Sequence, residues 1–574
     1  MRPSGRRRSS RGPTAFRTAL FTVLLVAACA APRSDDVSGG DAAAPTPITP
    51  APVAPASGGG TLRVAVGAPP ISIDPRLVVD DTGELVARAL FEGLVDLNPA
   101  GGVTPAGAVS WRVDAEGTEY RFTLRRAAFH DGRPVTAQDH ADALLAVLDP
   151  TRPPYGREGL LAGLRGARIL DADGAPVPGG PADVLAAGGV EVVGTWGLVL
   201  RLESPDPRLL HALTDVALVP VPPDVDGRAP GTVGNGPFRL LEPFEPDGFL
   251  RLVAVEDHHR APSVDELILQ FLPDDLDGAR RWEDLLAGRV QIARVTPVRL
   301  GEAVAALGRA SGRPGGDPVG VHDGPAAAVY AYAFDTTLPP FDDVRLRRAL
   351  SAALDRQVLA RTVGGGAVPA DRLLPPTLLP GAAAGPVCDH CRRDVGLARE
   401  LFAAWVMDTA AALPLPVTLT YPRRADHALV AEEVAGQLEA ALDVRVALRA
   451  LDLPELDAAV TEGRAGLFRP ALRATLGGTA AASSLLDPAF RSTAPRPTAG
   501  TGFGGPTTDA LLDRLRAGPD PAAAGGLDAV LTAEAVVVPL LWSRHDVVVG
   551  PGVRGFALDP TGRWWPERIR LSRP

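Results

Sequence analysis

The sequence predicts an α/β protein with mixed sheets, and three observations point there. Segments with the two-residue period of strands interleave with segments of helical period from Thr61 onward. One run, Val417 to Leu448, reads strand–helix–strand over about 30 residues, the length that a crossover between parallel strands requires. Hydrophobic residues make up 46% and charged residues 22% of the 574, a balance that builds a core.

In chain order, Thr61 to Val66 alternates and predicts the first strand. Asp81 to Leu94 places Leu85, Val86, Ala89, Leu90 and Leu94 at helical spacing. Tyr120, Phe122 and Leu124 alternate with Arg121 and Thr123, a second strand. A helix is expected from Thr136, a suitable N-cap, to Leu148, closed by Asp149-Pro150. Val344 to Val363 predicts one long helix around Leu346, Ala349, Leu350, Ala353 and Leu354. Within the crossover unit, Val417–Tyr421 and Val444–Leu448 are the strands and His427 to Leu442 the helix. Val536–Trp542 and Val547–Val549 are late strands. No repeat of solenoid period interrupts this order.

Residues 1–60 have a different character. Residues 1–17 are basic, Thr18–Ala28 is a short apolar run, and Cys29 follows. A basic start, a short apolar stretch and small residues before a cut describe a secretory signal. The run is too short to span a bilayer, which takes about 20 apolar residues. Leu25-Val26-Ala27-Ala28-Cys29 resembles a bacterial lipobox, which implies removal of residues 1–28 and lipidation of Cys29. Residues 29–60 then form a Pro/Ala/Gly linker. As extended polyproline II it reaches roughly 90 Å, at about 3.1 Å per residue.

Composition excludes several chemistries. All 58 basic residues are arginine. Without lysine there is no Walker A loop, no Schiff-base enzyme, no kinase and no SxxK acyl-enzyme. HExxH and GxSxG are also missing from the sequence. The net charge is −10. Without residues 1–28, 52 basic residues face 68 acidic ones, a charge of −16 that disfavours nucleic acid as a partner.

Several stretches then recur in a telling order: Ile73-Asp74-Pro75; Leu90-Phe91-Glu92-Gly93-Leu94-Val95; Pro105 to Trp111; Asp114 to Tyr120; and Phe129-His130-Asp131-Gly132-Arg133-Pro134-Val135-Thr136. Gly234-Asn235-Gly236-Pro237-Phe238 and the run from Phe341 through Val344-Arg345-Leu346-Arg347 to Asp355-Arg356 complete the set. In order and spacing they resemble the family 5 extracellular solute-binding proteins of ABC importers, the oligopeptide, dipeptide and nickel binders. Each stretch also has a scaffold reading: Gly132 suits a tight turn, Gly93 a helix end, Gly234 and Gly236 a sharp entry to a strand.

The resemblance implies a two-lobed periplasmic-binding-protein-like fold (type II, with an extra subdomain). Lobe I would comprise 61–96, 233–325 and 543–574, with 97–232 as its extra subdomain. Lobe II would be 326–542, with Ala328–Phe334 and Val536–Trp542 as crossing strands. It implies a monomeric, non-catalytic receptor on the outer face of the cell membrane, without cofactor or metal. That receptor would capture a peptide or similar solute and deliver it to a permease–ATPase complex. A lipoprotein that senses its ligand without transport, and a secreted hydrolase on the same scaffold, are the alternatives.

By the same resemblance one cleft wall is Val79-Asp80-Asp81. Its backbone could pair with a peptide, and its carboxylates could meet a cation or start the next helix. The opposite wall carries Arg473, Thr475, Gly477 and Gly478. Thr475 stands where peptide binders have a Trp, and Gly478 where they have the Asp that pairs with the peptide ammonium. A buried ammonium needs a paired anion. The substitution therefore puts ordinary α-amino capture in doubt, while Arg469 and Arg473 suit a carboxylate or phosphate.

Cys388-Asp389-His390-Cys391 could be a local disulfide, a redox pair or half a zinc site. Without a second CxxC a closed four-ligand zinc site is not supported, and a local disulfide is expected. His258-His259 is expected in a surface turn.

Overall fold

The computed structural model describes residues 59–574 apart from 79, 150–159, 171–175, 223–230, 245–247, 274, 276–277, 297–298, 311–317, 364–366, 380–387, 424, 471, 475, 478–479, 493–500 and 573–574. Two large sheets anchor two lobes. In the first, the strand order is Phe238–Leu240, Phe249–Ala254, Glu266–Phe271, Thr61–Val66, Ile292–Arg294, Val547–Val549 and Gly320–His322. Thr61–Val66 runs parallel to both of its neighbours, and the outer pairs are antiparallel. The second sheet orders Val368–Pro369, Val537–Arg544, Pro325–Phe334, Leu467–Phe468, Leu415–Pro422 and Val444–Leu451. The short strand Leu472–Arg473 also pairs with Pro325–Phe334. A smaller antiparallel sheet, Val190–Val193, Gly197–Arg201, Glu119–Leu124 and Ala108–Val113, forms the extra subdomain.

The core follows from strand alternation. Leu62, Val64 and Val66 pack on one face of the first sheet, and Ala65 on the other with Trp282, Ala293 and Val548. In the second sheet Tyr332 and Phe334 face one core while Ala331 and Ala333 face another. Apolar cores cover both faces, which is why runs such as Val547-Val548-Val549 are apolar throughout.

Most predicted elements are present. Thr61–Val66 has the predicted bounds. The crossover unit is strand Leu415–Pro422, helix Ala425–Ala441 and strand Val444–Leu451, with the two strands parallel. The predicted helix from Thr136 spans Ala137–Val147, and Thr136 N donates to the Asp139 carboxylate at 2.7 Å.

Three expectations change. The first helix covers Asp81–Leu90 and stops four residues early, because the Gly234–Gly236 turn takes over its end. Gly236 N donates to Leu90 O at 2.8 Å, and Asn235 bonds both backbone groups of Glu92 at 2.9 Å. The long helix at 344–363 is two, Val344–Ala352 and Arg356–Val363. Asp355 accepts from Gln357 N and Val358 N and starts the second. The buried Arg356 guanidinium ties the break to Ser351 O, Leu354 O and Pro539 O. Finally, Pro325–Phe334 and Val537–Arg544 lie within the second sheet, and the chain crosses between sheets at Asp323-Gly324 and His545-Asp546. His545 N donates to Gly324 O at 2.9 Å and Arg544 pairs with Asp323 at 3.0 Å, holding the crossings together.

No helix among the described residues is long and apolar enough to cross a membrane.

The Gly234 contact makes a prediction. A Cβ there would lie 1.9 Å from Leu90 O and 3.2 Å from the His130 ring. Overpacking of this kind costs about 1–3 kcal/mol or more. Gly234→Ala should lower the urea midpoint without changing the slope; an unchanged midpoint would contradict the packing described.

Candidate functional site

The two lobes meet around the start of helix Asp81–Leu90. Asp80 is its N-cap: one carboxylate oxygen accepts from Gly83 N at 2.8 Å and the other from Ile71 N at 3.1 Å. That leaves Asp81, on the first turn, to face the cleft. It accepts from Arg294 of the first lobe at 2.9 Å and from Arg473 of the second at 3.1 Å. Partial burial pushes the Asp81 carboxyl up, but the two guanidinium groups outweigh it and hold the carboxyl below the usual range. Arg473 is thus already paired, and its partner comes from the opposite lobe.

A second contact across the lobes joins Arg208 of the extra subdomain to Asp487 at 3.1 Å. Gly477 packs closely between them: a side chain there would strike Leu97 Cδ1 at 2.6 Å. Leu476 and Ala480 meet Ala212 in a small apolar cluster. Arg469 does not reach the Asp81 pair. Its guanidinium lies over the Tyr330 ring, 4.6 Å from the centroid, and donates to Pro470 O. Val79, Thr475 and Gly478 lie outside the described residues.

Below Asp81 is a cavity of about 40 Å³, lined among others by Glu84, Arg88, Arg294, His545, Arg563 and Trp564. It has room for a water molecule, whose share of liquid is about 30 Å³, and not for a peptide. Charges of alternating sign lead inward from it. Glu84 pairs with Arg88 at 2.8 Å; Arg88 and Arg563 approach Asp96 at 3.9 and 3.5 Å; Arg260 bridges Asp96 and Glu92. Burial pushes Glu84 up, but Arg88, Arg563 and Arg473 outweigh it and draw its carboxyl down to about 2.

Glu92 ends this chain of charges. It is 3% exposed, with Arg260 at 2.7 Å and His259 Nε2 at 2.8 Å. Burial opposes its charge, but Arg260, His259 and His258 prevail and hold the carboxyl at about 2. The expected His258-His259 surface turn is therefore corrected in part: its backbone is peripheral, but both imidazoles point inward at Glu92. The resemblance singled out the Phe91-Glu92-Gly93 stretch. Sequence reasoning missed Arg294, Arg563 and Arg260 as its surroundings, because they come from separate strands and turns with no motif around them.

Two lobes joined by two short crossings, with ion pairs from one lobe to the other, have the architecture of a two-lobed solute-binding protein. The sequence model of one family, bacterial extracellular solute-binding proteins, family 5 (middle), matches residues 102–495. The chain belongs to that family. It is 30% identical over 396 residues to the periplasmic murein peptide-binding protein MppA of Escherichia coli (strain K12), covering 66% of this chain and 69% of that protein. It is 26% identical over 412 residues to the oligopeptide-binding protein OppA of Bacillus subtilis (strain 168), covering 68% and 70%. Among solved structures, that of the Escherichia coli murein tripeptide-binding protein MppA superposes with a TM-score of 0.69 at 22% identity. It covers 90% of this chain and 99% of that one.

The depressed Glu92 carboxyl has a consequence in acid. A carboxylate lowered on folding stabilises above its unfolded value, near 4.5, and that contribution is lost as pH falls through about 2. Glu92→Gln removes the charge and leaves Arg260 short of one partner. Breaking a buried pair costs about 3–5 kcal/mol. The variant should be destabilised at pH 7, with the gap to wild type shrinking toward pH 2. Equal gaps at pH 7 and pH 2 in denaturant titrations would contradict the ion-pair role.

Proposed function

We propose that the chain is a lipid-anchored extracellular receptor that captures a peptide or similar small solute between its lobes and delivers it to an ABC permease–ATPase complex. The carrying observation is the Asp81–Arg473 pair between two lobes, with the chain crossing from one sheet to the other at Asp323-Gly324 and at His545-Asp546. Two short crossings suit hinge opening and closure around a ligand. An exposed pair contributes about 0–1 kcal/mol, weak enough for ligand binding to replace it. Its family is one of solute binding, and the relatives MppA and OppA are by name peptide binders. Both support a role of binding without chemistry.

The ligand's anionic end is the one this cleft is suited to hold. Arg294 and Arg473 converge on a single carboxylate, that of Asp81. A ligand carboxylate that displaces Asp81 would meet both guanidinium groups. For an ammonium end, the family resemblance puts Gly478 where peptide binders have their Asp, while Asp80 is engaged as a helix cap and Asp81 is neutralised by two arginines.

In calorimetry with matched peptides, N-acetylation should change affinity less than about threefold, well under 1 kcal/mol, whereas C-terminal amidation should weaken binding at least about tenfold. Arg473→Ala should abolish that amidation effect. A large loss on acetylation would mean that an acidic clamp, not the arginine pair, orients the ligand. Scattering should show a change in radius of gyration on binding, without release of a covalently altered product.

Anchoring rests on Cys29, which lies outside the described residues. Cys29→Ser should release the protein from membranes or block its processing. Membrane retention of a correctly cleaved Cys29→Ser protein would remove the anchor from the proposal.

A further inference from the structure

We propose that the chain, when its second-lobe disulfide is reduced, binds one thiophilic divalent cation of the zinc type through Cys388 Sγ, Cys391 Sγ and His390 Nδ1. These residues lie on one tight turn, the 3-10 segment Asp389–Cys391, closed by Cys391 N donating to Cys388 O at 3.1 Å. One potential ligand atom from each of the three lies within 4.8 Å of the others. That proximity alone would describe many polar turns. The state of the imidazole distinguishes this one.

His390 is 5% exposed, and its Nε2 lies 2.9 Å from Thr532 O. A carbonyl oxygen only accepts, so Nε2 carries the proton and Nδ1 keeps its lone pair. Nδ1 is buried and has no hydrogen-bond partner among the described residues. A metal-binding histidine has this arrangement: one nitrogen donates to a carbonyl that fixes tautomer and ring direction, and the other is free to ligate. The turn is also held rigidly, since Ser351 Oγ donates to His390 O at 3.0 Å and accepts from Arg356 at 3.0 Å. Cys391 is buried, whereas Cys388 is half-buried and gives the site a side open to solvent. Two thiolates and one imidazole are a soft donor set of the kind zinc takes, with a fourth position left for water.

A second cluster of metal-ligand type among the described residues, Glu92 with His258 and His259, has the opposite chemistry. His258 Nδ1 accepts from Arg260 N at 3.1 Å, so its Nε2 carries the proton, and Arg260 already pairs with the carboxylate.

In the structure Cys388 and Cys391 are joined as a disulfide. Cation binding is therefore gated by redox state. A dithiol reductant supplies two electrons and two protons to the S–S bond, giving two thiols and the cyclic disulfide of the reductant. The cation then displaces both thiol protons to solvent as the two S–metal bonds form.

The test uses the full chain carrying Cys29→Ser, which leaves Cys388 and Cys391 as its only thiols. The protein is reduced with dithiothreitol, desalted under argon and titrated with Co²⁺, with Zn²⁺ as competitor. One equivalent should bind with a thiolate-to-cobalt charge-transfer band, Zn²⁺ should erase that band, and the oxidised protein should show none. His390→Ala should weaken binding at least tenfold. Absence of the band in the reduced, folded protein would overturn the proposal, as would a loss below tenfold in His390→Ala. Should His390→Ala fail to fold, X-ray absorption of the Co²⁺ complex decides: two sulfurs and one imidazole nitrogen support the site, and any other set refutes it.

Discussion

The first lobe depends on one buried carboxylate. Glu92 sits just past the end of helix Asp81–Leu90, where its backbone is held by Asn235 and its side chain by Arg260 and His259. Through those partners it ties together the turn before Phe238–Leu240 and the turn that follows Phe249–Ala254. Arg260 also reaches Asp96 and, at 3.5 Å, Glu567 near the C-terminal end. A charge this deep is tolerated only where it is paired and hydrogen-bonded. Several separate segments must therefore be in place together, which makes Glu92 a condition on the assembly of the lobe.

The contrast between this knot and the lips of the cleft gives the molecule its division of labour. Glu92 and Arg563 are almost wholly buried, and their interactions exclude water. Asp81 and Arg473 are 46% and 43% exposed at the side chain, where solvent screens the pair. Between the lobes both kinds occur: the exposed Asp81–Arg473 pair, and the more deeply buried pair of Arg208 with Asp487.

The sequence stretches that mark the family are mostly parts of this scaffold. Gly234 and Gly236 lie against the backbone of Leu90 and Phe91 too closely for any side chain, and His130 bonds both glycines through its two ring nitrogens. Gly132, with φ of 88°, closes the adjoining turn. Their spacing was readable in the sequence because each is a local requirement of a turn. What they turn against was not.

The sequence by itself determined the alternation of strands and helices, the strand bounds at Thr61–Val66, the crossover unit at 417–448 and the helix cap at Thr136. Each follows from periodicity and capping within about ten to thirty neighbouring residues. It also placed Asp80 and Asp81 at a helix start and at the cleft without deciding between those uses. Tertiary structure assigned one to each, Asp80 as the cap and Asp81 as the partner of two arginines. The early stop at Leu90, the break at Asp355 and the inward turn of His258 and His259 were likewise decided by contacts between distant segments. Asp81 and Arg473 are 392 positions apart, and Glu92 and His259 are 167. Local pattern carries no information about charges that meet only when two sheets and a subdomain pack together. The burial that makes those pairings specific exists only in the folded chain.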